Sequence, residues 1–195
     1  MKDSKLYDIA YLLSDLIILN ILWIIFSLPL ITVFASTEGL LYSIHKLREG
    51  ESEGNLKEFW KGFKKNIWWT IINFIIALSV ITILYIDVRF FLMQNNILSY
   101  LLSGLILSFG LMFSITLIYT LLMLPYYNGT FLVLWKNSFL LGLGYLPKTA
   151  LILFLFIFAF FVVQFFPISF FIILISGLAY ILDIIFSGII KKHLK

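Results

Sequence analysis

Long apolar runs divided by short polar stretches organise this chain. Residues 16–35, 67–86, 97–124, 150–166 and 168–190 are each dominated by aliphatic and aromatic side chains. A helix needs ~20 such residues to cross a hydrocarbon core, so the pattern predicts an all-α membrane protein, a bundle of about five transmembrane helices. Pro29 falls near the end of the first run, where its ring removes a backbone donor and crowds the preceding turn, and a kink or break is expected there. The third run would extend ~42 Å as one helix, which requires tilt, a kink or protrusion. Pro125 closes that run, and Pro167 marks a tight turn between the last two.

The stretches between the runs have periodicities of their own. Leu40, Leu41, Ile44 and Leu47 form an apolar stripe beside Lys46 and Arg48, which predicts a helix over 37–48 lying along the membrane surface. A Gly- and Glu-rich turn follows at 49–54, and Asn55 with Glu58 three residues on is a helix-start signal. Phe59, Trp60 and Phe63 then alternate with Lys57, Lys61, Lys64 and Lys65. Aromatics interleaved with lysines also occur in nucleic-acid binding. Here they border an apolar run, where both residue types settle at headgroup level, and no nucleic-acid partner is expected. Residues 130–142 are apolar but too short to span, and predict a second interfacial or re-entrant helix. The expected interfacial helices, one or two, lie on the cytoplasmic side.

Composition narrows the class. Hydrophobic residues make up 62% of the chain and charged residues 12%, about half the charged share of a soluble domain. No Asp, Glu, Lys, Arg or His occurs in 67–86 or 150–166. The expectation is a single integral membrane domain over 1–195 with the bilayer as its main partner. Val33-Phe34-Ala35 has the small-residue look of a signal cleavage site, but Asp3, Asp8 and Asp15 dilute the basic start and the run is long, so the first helix is expected to stay. The chain has no cysteine, which removes disulfides and thiolate metal sites.

Charge sets the expected topology. With five alternating spans, one side receives Lys46, Arg48, Lys57, Lys61, Lys64, Lys65, Lys136, Lys148, Lys191, Lys192 and Lys195, and the other Lys2, Lys5 and Arg89. That bias predicts an outside N-terminus and a cytoplasmic C-terminus.

Candidate chemistry is sparse. His45 and His193 are far apart, and the chain has no HExxH, GxSxG or phosphate-binding glycine loop. No enzymatic activity, metal or cofactor is expected. Asp183 is the one ionisable residue well inside a span, ~12 Å from the cytoplasmic end of its helix. A carboxylate there costs a few kcal/mol unless paired or hydrated. Asn73 and Thr116 fall at similar depth in their own spans. The three predict a polar layer facing the bundle interior, with no second charge joining Asp183. The competing reading makes Asp183 protonated or hydrated and only a packing residue. Small residues four apart, Gly104/Ser108 and Gly110/Ser114, allow close helix approach; packing inside the bundle is their expected use, with a homo-oligomer as the other.

Several short motifs resemble the YesL-like family of bacterial membrane proteins, a domain of unknown function. They are Asn20-Ile21-Leu22-Trp23, Leu28-Pro29 with Thr32, Leu40-Leu41-Tyr42, Lys46-Leu47, Phe59, Gly62-Phe63-Lys64 and Asn66. A second set is Leu124-Pro125-Tyr126, Trp135-Lys136-Asn137-Ser138 and Leu146-Pro147. Phe34-Ala35 stands where family members often have Gly-Pro. The resemblance implies no established activity. It implies an accessory or regulatory component associated with carbohydrate uptake or sensing, with a sugar ABC permease or a sensor kinase as partner. The alternative is a small-solute transporter or channel built on the Asp183 layer.

Overall fold

In the computed structural model, which describes residues 2–94 and 96–193, the chain is all-α and the described residues form no strand. Asn95, and Lys195 of the topology count, lie outside the described residues, as do the side chains of residues 2–6, 192 and 193. The helices are α1 (Lys2–Ser27), α2 (Val33–Arg48), α3 (Asn55–Lys65), α4 (Ile67–Leu92), α5 (Ile97–Met123), α6 (Phe131–Gly144), α7 (Leu146–Phe165) and α8 (Ile175–His193). Among the described residues, five helical segments are long and apolar enough to cross a membrane: Tyr7–Ser27, Ile67–Leu92, Ile97–Tyr126, Leu146–Phe165 and Phe170–Lys191.

The first apolar run is two helices, not one. The break falls at Leu28-Pro29, and residues 33–35 belong to α2. Thr32 closes the end of α1: its hydroxyl lies within bonding distance of the carbonyls of Phe26 (2.6 Å) and Pro29 (2.7 Å), and since Pro29 already accepts the Thr32 N–H (2.8 Å), the Phe26 carbonyl is the acceptor that the break leaves for it.

α2 also departs from expectation. Instead of lying along a surface it is the hub of the fold, packing on α1, α3, α4 and α8, with Ala35, Ser36, Glu38, Leu40 and Ile44 fully buried. Its apolar stripe is only part of the reason. Ser36, Gly39 and Ser43 are small enough on the remaining faces for neighbouring helices to close over them. The tightest approach is to α3: a Cβ at Gly62 would stand 2.6 Å from that of Tyr42, and one at Gly39 would stand 2.9 Å from the Phe59 carbonyl oxygen. Only glycine at these two positions lets the backbones cross this closely.

α8 is preceded by a π-helical segment, Phe170–Leu174, whose wide turn leaves backbone groups for another helix to satisfy. Asn20 of α1 does so. Its amide donates to the carbonyls of Phe170 (2.9 Å) and Phe171 (3.0 Å) and accepts from the Ser176 N–H (3.1 Å).

Contacts along the helices fix their directions. Trp23 of α1 donates to Thr37 near the start of α2 (3.1 Å) and meets Phe170 edge-on (6.1 Å). Asp15, earlier on α1, accepts from Asn55 beyond the end of α2 (2.7 Å). Arg48 and Glu49, at that same end of α2, meet Asp183 and Lys191 of α8. α2 and α8 therefore run together, and both run against α1. The N-terminal end of α1 and the C-terminal end of α8 lie at one end of the bundle.

Candidate functional site

At that end α2 and α8 enclose a charged cluster. Ser176, Ala179, Asp183, Phe186 and Ser187 are buried at spacings that share one face of α8, so the apolar packing of α8 carries Asp183 inward with it. Asp183 is 2% exposed. On α2, His45 and Arg48 are three residues apart and point the same way. The Arg48 guanidinium donates to the Asp183 carboxylate and to Ser187 Oγ (3.3 Å), and the Tyr126 hydroxyl donates to the other carboxylate oxygen. His45 Nδ1 stands 3.6 Å from that same oxygen.

Aromatic packing completes the cluster. The rings of His45 and Tyr126 lie 4.4 Å apart, and Tyr126 rests on Phe186 at 5.6 Å. Arg48 sits over Tyr180 at 6.0 Å. Lys191 and Glu49, 3.5 Å apart, form a second and more exposed bridge between the same helices. Chemically the arrangement neutralises a carboxylate that would otherwise be costly and ties three elements together: α2, α8 and the Leu124–Tyr126 turn.

Asn73 and Thr116 are engaged elsewhere. Asn73 of α4 is buried and accepts from Trp135 Nε1 of α6 (2.8 Å). Thr116 of α5 donates to the Met112 carbonyl within its own helix (2.9 Å). Each of the three residues has its own partners, so their shared depth does not become a set of bonds. The expectation that no second charge joins Asp183 is corrected: Arg48 does, from a helix that depth counting along the spans leaves out. A lone intramembrane carboxylate calls for a cation, and His45 and Arg48, three apart on α2, meet it from a helix whose pattern fits a membrane surface equally well.

Four other motif residues, Phe59, Phe63, Asn66 and Pro125, serve the α1–α2–α3 corner and its junction with α5. Phe59 and Phe63 are buried under Phe26, with ring centroids 5.4 and 5.3 Å away. Asn66 donates to Glu38 (2.5 Å), a fully buried carboxyl of α2. Lys65 donates to the Pro125 carbonyl (2.9 Å), joining the end of α3 to the end of α5. Outside, Lys57 and Lys61 converge on Glu53, and their hydrogen bonds hold its carboxyl down at about 2.

Long apolar helices with a charged cluster buried among them define a multi-pass membrane protein. Within that class, residues 16–88 match the model of a family described as a protein of unknown function, DUF624, the family to which YesL-like proteins belong. The matched segment holds the second part of α1 from Leu16 on, all of α2 and α3 and most of α4. It includes His45 and Arg48 but not Asp183, and the motifs at 124–126, 135–138 and 146–147 lie beyond it. No curated protein and no solved structure matches the chain.

Proposed function

We propose that the chain is a non-enzymatic accessory or regulatory component of the bacterial cytoplasmic membrane, working beside a carbohydrate uptake or sensing system. The observation that carries this reading is the commitment of Asp183: its carboxylate is bonded to Arg48 and Tyr126 inside the fold, which leaves surfaces, not an interior pathway, as the working parts. The link to carbohydrate rests on the YesL-like resemblance.

The proposed orientation has both ends of the chain, the start of α1 and the end of α8, facing the cytoplasm. Five alternating crossings would put the termini on opposite sides; the antiparallel course of α1 and α8 supports the same side, with α2 supplying the return of the chain. Lys2 and Lys5 then join the eleven cations of the heavily charged side, and Arg89 alone stays on the other, a stronger bias than five alternating spans give.

The test is a mild-detergent pull-down of the tagged protein from its host, read by mass spectrometry. A sugar permease or sensor kinase should co-purify and be lost when the exposed face of α3 is altered. Recovery of the protein by itself, as a defined homo-oligomer, would overturn the accessory reading.

A further inference from the structure

An open groove of about 700 Å³ runs between α1 and α3, lined by Phe26, Gly54, Asn55, Leu56, Lys57 and Trp60. Its walls are apolar: Leu56 is 61% and Trp60 40% exposed, and the Phe26 and Trp60 rings stand 5.5 Å apart. Its rim is cationic. Lys57, Trp60, Lys61 and Lys64 share the outer face of α3 by their spacing. Lys57 and Lys61 lean on the single carboxylate of Glu53 at 2.7 and 3.0 Å. Lys64 sits over the Trp60 ring, 4.3 Å from its centroid, and has no ion-pair partner among the described residues.

We infer that this groove is a binding site for an anionic phospholipid, with an acyl chain against Phe26, Leu56 and Trp60 and the headgroup phosphate met by Lys57 and Lys64. An apolar trough with a basic rim matches an amphiphile with a negative head. A free phosphate ion makes no use of the walls, and a zwitterionic lipid brings no net charge to the rim. In a bilayer protein an open apolar trough beside a spanning helix has lipid as its solvent, and a lysine stem can follow the trough while its ammonium stays with the phosphates. Glu53 is the competing anion, since it holds Lys57 away from a headgroup.

Native mass spectrometry of the solubilised full-length protein tests this, titrating phosphatidylglycerol, phosphatidylcholine of the same acyl chains, and inorganic phosphate in parallel. One phosphatidylglycerol should be retained in preference to phosphatidylcholine by about five-fold, the scale of one cation near a membrane surface. Lys57→Gln with Lys64→Gln should reduce phosphatidylglycerol to the phosphatidylcholine level without moving the unfolding midpoint. Trp60→Ala should weaken both lipids, and Glu53→Gln should raise the preference. Equal retention of the two lipids by the unaltered protein, an unchanged preference in the double variant, or inorganic phosphate binding as well as the lipid would each overturn the assignment.

Discussion

Asp183 shows how far single residues could be read in advance. Its position in an otherwise charge-free run marks it as exceptional, and the sequence alone says that it needs a partner. The identity of that partner was not legible, because Arg48 lies 135 positions away on a helix whose stripe fits a membrane surface as well as a protein interior. The same limit applies to Asn20, whose side chain answers a π-turn that no local pattern announces. The cluster makes a residue-level prediction. Removing one member of a buried ion pair leaves an uncompensated charge and costs ~3–5 kcal/mol, whereas replacing both with apolar groups can be nearly neutral. Arg48→Leu should therefore lower the unfolding midpoint of the detergent-solubilised protein sharply, and Arg48→Leu combined with Asp183→Leu should restore much of the loss. Simple additivity of the two single changes would mean that the pair does not couple α2 to α8.

At the scale of elements, the long helices were legible and the short ones less so. Apolar length is a sufficient signal for α4, α5, α7 and α8, since a run of that length and charge depletion has few other uses. The end of α1 was half legible: Pro29 announced a break, but the continuing hydrophobicity to Ala35 hid where it fell. α2 was misplaced because surface and interior helices share an apolar stripe, and what separates them is whether the other faces admit neighbours. Gly39 and Gly62 are that feature, and they predict a local defect. The Cβ of Gly62→Ala has no room beside Tyr42, so α2 and α3 must separate, at a cost of roughly 1–3 kcal/mol. The measurement is thermal unfolding in detergent. Gly104→Ala serves as the control, since nothing lies within 4 Å of a Cβ there, and an equal effect of the two substitutions would contradict the close-crossing account.

For the whole molecule, the start of α1 and the end of α8 lie at one end of the bundle, and the proposed distribution of charge across the bilayer rests on that pairing. The five apolar runs are five long apolar helices; the alternation drawn from their number leaves out α2, a return segment too polar to register as a span yet enclosed by other helices, and the orientation proposed above takes it into account. Asp15, Arg48, Asp183 and Lys191 all belong to one end of the bundle, and the tip of the α4–α5 hairpin, with Arg89 and Gln94, is proposed for the other. The absence of cysteine from the natural sequence makes this directly measurable with a membrane-impermeant maleimide on intact and permeabilised cells. Single cysteines at Asp8, Gln94 and Lys191, all exposed positions, should divide into two classes: Gln94→Cys labelled from outside, Asp8→Cys and Lys191→Cys only after permeabilisation. Labelling of Asp8→Cys in intact cells, with Lys191→Cys protected, would contradict the account.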